Sequence, residues 1–379
     1  MQKIYFDNAA TTPLDPAVVK AMANHMLSNF GNPSSSHGFG RKAKAELETI
    51  RKKIALYFNC SPSEVVFTAG GSEADNMVLY NAVKELGVKR IISSPLEHHA
   101  VLHTIEALGR EFDIEIVYLS VDSHGEIDYT ELESLLDTGK TKTLVSLMLV
   151  NNELGNILDA SRVSAVCKKT NSLFHSDTVQ GIGHVPIDLK EVPIDFIAAS
   201  AHKFHGPKGV GFAIINKAHK FEPMLHGGEQ EMGLRAGTEN THSIVGLSKA
   251  LSMALDHFEE DKKYILELKQ YFIQKLNANI PGIKYNGWSA DRDKSAFHIL
   301  NVRFPKEMPM LLFNLDLKGI AASGGSACQS GSSKGSHVLG AILNEKDAKL
   351  TSVRFSFSKF NNKEEADQVI EALVSMLDK

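Results

Sequence analysis

The chain has 379 residues, 43% of them hydrophobic, with 41 Lys and Arg against 45 Asp and Glu, for a net charge of −4. That balance excludes an electrostatic binder of nucleic acid or of a membrane surface, and no apolar run is long enough to span a bilayer. Cys60, Cys167 and Cys328 are too few and too scattered for a disulfide framework and include no Cys-x-x-Cys pair for zinc. The N-terminal MQKIYFDNAATTP has neither a signal core nor a transit pattern, so a cytoplasmic protein is expected.

In chain order, residues 16–30 and 41–58 are predicted as amphipathic helices, the second with Ala43, Leu47, Ile50, Ile54 and Phe58 on one face. EVVF (64–67), RIISS (90–94), EIVYL (115–119), TLVSLMLV (143–150), LFHSD (173–177), DFIAAS (195–200) and VGFAIIN (210–216) are predicted strands. Helices are predicted from Glu73 and at 98–110, 130–137 and 161–170. Near-continuous apolar strands alternating with helices predict an α/β fold with a mostly parallel sheet covered on both faces. After about residue 241 comes one long helical stretch through Leu276. Strands at 297–304 and 353–360, a helix near 309–318 and a terminal helix from Lys363 then predict a smaller α+β domain. The expected division is 15–256 for the large domain and 1–14 with 257–379 for the small one.

Several strands end in residues that carry chemistry. TAGGSEADN (68–76) places a glycine pair and Ser72 between strand and helix, which suits either a phosphate or a plain turn with Ser72 as helix cap. His98 in LEHHAVL (96–102), Asn152 in VNNELGN (150–156) and Asp177 in HSDTVQG (175–181) follow three more strands. Each alone reads as a cap, a turn former or a solvated group. Lys203, in SAHKFHGPKGVG (200–211), follows a sixth, buried-looking strand; alone it reads as solvated, but out of water a lysine becomes a nucleophile or Schiff-base former. In an open α/β sheet these ends line one crevice. A phosphate cradle, a stacking imidazole, a buried carboxylate and a reactive lysine together describe a site for pyridoxal 5′-phosphate. Arg235 and Thr238 lie in LRAGTEN (234–240), and Arg354 on a small-domain strand; arginine suits bidentate capture of a carboxylate. Cys328 sits in GGSACQSGSSKGSHVLGAI (324–342), an unusual place for a structural thiol, whereas Cys60 and Cys167 lie on helical patterns and read as core.

The ordered set YFDNAATTP (5–13), FGNPSSSH (30–37), GGSEADN, LEHHAV, VNNELG, HSDTVQ, SAHKFHGPKGVG, HGGEQEMGLRAGTEN (226–240), GGSAC and VRFS (353–356) resembles the cysteine desulfurases of the NifS/IscS kind. These are class V enzymes of the fold-type I aminotransferase superfamily, and the likeness runs over nearly the whole chain. The resemblance implies a seven-stranded, mostly parallel sheet sandwiched by helices, a small α+β domain, and a mobile cysteine loop at about 322–336. It implies that Lys203 binds the cofactor covalently and shuttles protons, that Asp177 pairs with the ring nitrogen and that His98 stacks on the ring. Gln180 and Asn152 would contact the ring oxygen side, and Gly71, Ser72, Ser200 and His202 the phosphate. Thr238 would reach the other subunit's cofactor in a homodimer, Arg354 with Asn152 would hold the substrate carboxylate, and Cys328 would be the nucleophile. The implied reaction converts L-cysteine to L-alanine, with a persulfide on Cys328 passed to an iron–sulfur scaffold or a thiolation protein. The alternative is a selenocysteine lyase or another aminotransferase-like enzyme of the same fold. Ser72 stands where threonine is usual, and ASGGSAC (322–328) where SSGSAC is common; hydroxyl and thiol are both kept.

Overall fold

A strand covered on both faces is buried along its whole length, and six of the seven strands predicted before residue 217 are. The computed structural model describes residues 3–137, 141–324 and 335–377. In chain order, the first half runs Ile4–Tyr5 (β1), Pro16–Ser28 (α1), Gly38–Tyr57 (α2), Val65–Thr68 (β2), Gly71–Lys84 (α3), Arg90–Ser93 (β3) and His99–Phe112 (α4). It continues through Glu115–Tyr118 (β4), Tyr129–Asp137 (α5), Thr143–Ser146 (β5), Ala160–Thr170 (α6), Leu173–Asp177 (β6), Phe196–Ser200 (β7) and Gly211–Ile215 (β8). The seven-stranded sheet has the order β2-β8-β7-β6-β5-β3-β4. All its strands are fully buried except β4, an edge strand with Glu115 and Tyr118 exposed.

Only β8 runs against its neighbours, β2 and β7. The pairs β7/β6, β6/β5, β5/β3 and β3/β4 are parallel. Two reversals cancel, so β2 points the same way as β7, and the C-terminal ends of β2, β3, β5, β6 and β7 share one edge. One core, with Phe58, Phe67, Val145, Phe174 and Leu247, covers one side of the sheet, and a second, with Met77, Val78, Ile105 and Phe196, covers the other.

The remainder is Thr241–Asp256 (α7), Phe258–Asn279 (α8), Lys284–Tyr285 (β9), Ile299–Arg303 (β10), Leu311–Leu317 (α9), Ile320–Ala321 (β11), His337–Ile342 (α10), Glu345–Ala348 (α11), Ser352–Ser356 (β12) and Lys363–Leu377 (α12). The single long helix expected after residue 241 is two helices broken at His257, whose φ of −106° and ψ of 14° leave helical geometry. A separate core of Ile4, Phe6, Leu268, Phe272, Leu300 and Phe355 holds these elements together. The N-terminal segment belongs to that core through β1, which pairs in parallel with β11.

Candidate active site

A cavity of about 230 Å³ opens at the shared strand edge. Gly71, Ser72, His98, Asn152, Asp177, Gln180, Ser200, His202, Lys203 and Arg354 all line it. Each arrives on the element that its sequence position implied: α3 after β2, the loops after β3 and β5, the end of β6, the turn after β7, and β12. Thr238 is exposed and outside the cavity lining. Cys328 and most of its loop lie outside the described residues.

The start of α3 has the form of an anion cradle. Its N-cap is Gly70, not Ser72, and no side chain caps it. The free N–H groups and the helix dipole of such an end favour a negative ligand. Gly70 has φ 154°, a conformation that side chains avoid, and a Cβ on Gly71 would come 2.5 Å from Val179 Cγ2. The two glycines keep the cradle open. His202 sits beside it with Nδ1 3.1 Å from Thr11 Oγ1. Burial, then Lys203 and Lys208, push the His202 imidazole down to about 4.

Asp177 ends β6 buried, with Oδ1 accepting from Val179 N at 2.9 Å. Burial outweighs that bond and the nearby Lys203, and lifts the carboxyl to about 6. Asp75, on α3, also lines the cavity and is held well above the carboxylate range by burial and by Asp177 and Glu97. So much buried acid calls for a cationic partner. A protonated ring nitrogen is one, and Asn152 Oδ1, buried without a partner, suits a ring hydroxyl or an amine. The donor set thus fits pyridoxal 5′-phosphate.

Lys203 Nζ donates to Ala9 O at 2.7 Å and Ala10 O at 2.8 Å. These acceptors come from residues 7–12, a segment that touches most of the site. Gln180 Nε2 donates to Ala9 O at 2.8 Å, and Thr12 Oγ1 donates to His202 O at 2.9 Å. Asp7 Oδ1 accepts from Arg354 Nη2 at 2.9 Å and from Ser323 Oγ at 2.8 Å. Arg354, 1% exposed, also donates from Nη1 to Asn152 O at 2.6 Å, while its Nε has no partner. The other arginine considered, Arg235, is spent on Glu73 at 2.9 Å and stays out of the cavity lining. The sequence reading missed Ala9, Ala10, Asp75, Met148 and Val179 from the lining, and Asp7 behind it.

His98 is the N-cap of α4, its Nδ1 accepting from Ala100 N at 3.1 Å. Burial and Lys203 push it down to about 4, so the ring is neutral. The two described cysteines are poor nucleophiles. Cys167 is buried in α6 and Cys60 sits half-buried past the end of α2, rather than on it, and burial pushes both thiols up to about 12.

Strand-end placement of these groups is the mark of a PLP-type α/β enzyme, and residues 4–369 match the aminotransferase class-V family, to which the chain belongs. Within it, a putative cysteine desulfurase IscS 1 of Bacillus subtilis is 41% identical over 373 residues, covering 96% of each chain. The cysteine desulfurase IscS of Dictyoglomus turgidum is 38% identical, covering 100% of this chain and 95% of that one. A solved NifS-like protein superposes with a TM-score of 0.91 at 34% identity over the whole of both chains. The chain is a cysteine desulfurase of the IscS/NifS kind.

Proposed function

We propose that this cavity binds pyridoxal 5′-phosphate and that the chain converts L-cysteine to L-alanine, holding the sulfur as a persulfide on Cys328 for a protein acceptor. The carrying observation is the meeting of Lys203, Asp177, His98 and the uncapped α3 N-terminus in one cavity. When bound, the cofactor supplies a carbonyl that condenses with amines and a ring that takes up the electron pair left at Cα.

Lys203 would hold it covalently, Asp177 would pair with the ring nitrogen and His98 would lie against the ring. Asn152 and Gln180 would face the ring oxygen; Gln180 has one amide N–H left after Ala9 takes the other. Gly71, Ser72, Ser200 and His202 would hold the phosphate. Thr238 would complete the phosphate site of the other subunit in a homodimer. Its exposure outside its own cavity supports that reading, as do the exposed apolar side chains Leu27, Phe30, Phe39 and Leu56.

The Lys203 amine, once displaced by substrate, takes the Cα proton and delivers a proton at another carbon. The Ala9 and Ala10 carbonyls seat that amine when it is charged. Arg354 keeps donors for the substrate carboxylate, its unpartnered Nε–H among them. Cys328 thiolate then attacks the substrate sulfur. The Cβ–S bond breaks, its electrons stay with Cβ, and protonation there gives alanine while the sulfur remains on Cys328. The acceptor class is an iron–sulfur scaffold or a thiolation protein, in the cytoplasm.

Borohydride reduction of the holoenzyme followed by peptide mass mapping tests the cofactor assignment. The cofactor mass is expected on the peptide that carries Lys203, and to vanish in Lys203→Ala. A label on another lysine would contradict it.

A further inference from the structure

Lys203 lines two cavities. One is the site above. The other, of about 30 Å³, is lined by Asn8, His184, His205, His298, Asp261 and Lys359 among others. Among the described residues, Lys203 is the one lining residue that the two share. A buried water needs about 10–15 Å³ of such volume and two to four polar partners.

The wall of the second cavity is rich in acceptors that lack donors. Asn8 is 3% exposed; its Nδ2 donates to Ser356 O at 2.8 Å and Asn361 Oδ1 at 3.1 Å, and its Oδ1 is buried without a partner. His298 is 2% exposed, with Nε2 3.3 Å from Gln180 Oε1. Gln180 donates its amide N–H to Ala9 O, so its oxygen accepts and His298 Nε2 carries the hydrogen. His298 Nδ1 is then a buried lone pair with no partner. His184 stacks on His298 at 3.6 Å, and its Nδ1 is also buried without a partner. His205 gives its Nδ1–H to Pro13 O at 2.9 Å, which leaves Nε2 as an acceptor. Burial holds all three imidazoles below their ordinary range, hence neutral. Such acceptors ask for a donor that is small and uncharged. A cation is disfavoured, because Lys203 and Lys359 line the same space and the nearby carboxylates, Asp15 and Asp261, already face Lys359 at 3.4 and 3.9 Å.

We propose that this cavity is a water site, whose one or two ordered waters donate to Asn8 Oδ1 and His298 Nδ1 and connect Lys203 to the half-buried Asp261. Lys203 thereby exchanges protons with solvent from the side away from substrate. The inference rests on the reading that Lys203 is the base. The proton taken from Cα makes Lys203 an ammonium, and the electron pair stays with the substrate. The ammonium gives a proton to the water, the water gives one to the Asp261 carboxylate, and bulk solvent receives it. The amine is restored and nothing is oxidised or reduced. Burial raises the Asp261 carboxyl, which suits it to carry a proton briefly.

Two measurements decide it. A high-resolution crystal structure of the holoenzyme is expected to show one or two waters within hydrogen-bond reach of Asn8 Oδ1 and His298 Nδ1; a dry cavity would overturn the proposal. Separately, L-cysteine deuterated at Cα is turned over in ordinary water and deuterium in the alanine is measured. Wild type is expected to wash out most of the label. Ala254→Leu, which fills the cavity from α7, is expected to retain several-fold more. Retention equal to wild type sinks the water route. Labelled or unlabelled alanine from Lys203→Ala would instead sink the underlying assignment of the base.

Discussion

His98 is committed at one nitrogen before any ligand arrives. Its Nδ1 accepts the Ala100 N–H that α4 would otherwise leave bare, so the neutral ring carries its hydrogen on Nε2. It meets the cavity as a flat surface and a donor, not as a proton acceptor. His98→Asn keeps the cap and loses the ring: thermal stability is expected to hold while cofactor affinity falls. His98→Phe keeps the ring and loses the cap: stability should drop by about 1 kcal/mol, with cofactor largely retained. Thermal melts and cofactor titration separate the two. With its imidazole near 4, His98 should place no limb on the activity profile between about pH 6 and 9. Asp177 behaves oppositely. Its carboxyl is raised on folding from 3.8 to about 6, so its contribution to stability is present at low pH and lost as pH rises through that window. The cofactor-free chain should therefore weaken from about pH 4 to 6, and Asp177→Asn should flatten part of that loss. The same variant should bind cofactor roughly ten- to a hundredfold more weakly, the worth of one hydrogen bond to a charged group.

At the scale of elements, the segment 7–12 is the frame of the site. Thr12 Oγ1 both donates to His202 O and accepts from His205 N at 2.7 Å, tying the Lys203 turn to the N-terminal strap. Thr12→Val is close in shape and strands the His205 N–H. A loss of about 1–3 kcal/mol is expected in chemical denaturation, and unchanged stability would show that the strap is replaceable. Little of this was legible beforehand. Val65–Thr68 and Phe196–Ser200 announce themselves as apolar runs that end in a hydroxyl, and Leu173–Asp177 as an apolar start that ends in a carboxylate, so their terminal residues mark the crevice. Residues 7–12 have no period and no charge pattern; their weight lies in carbonyls and hydroxyls whose partners are almost 200 residues away. Asp75 and the stacked His184 and His298 are equally silent in sequence, because only the folded core brings them to Asp177 and Gln180. The break at His257 escaped for another reason: apolar positions Leu255, Phe258, Ile265 and Leu268 read as one continuing helix face across it.

For the whole molecule, the core of Ile4, Phe6, Phe272 and Phe355, separate from the two that flank the large sheet, supports the proposed division into residues 15–256 and a second unit of 1–14 with 257–379. On that proposed division the site would lie where the two units meet: Lys203 and Asp177 come from one, Arg354 and the 7–12 strap from the other. Chemistry that needs Arg354 and Lys203 on one substrate thus depends on how the two units pack. Cys60 is half-buried and Cys167 buried, and burial raises both thiols, which supports the proposal that Cys328 carries the sulfur. The most direct measurement is alanine and protein-bound persulfide formed from L-cysteine by wild type beside Cys328→Ala. Wild type should yield both, and Cys328→Ala should keep its bound cofactor yet yield neither. Full activity in Cys328→Ala would contradict the central claim and move the sulfur chemistry away from this cysteine.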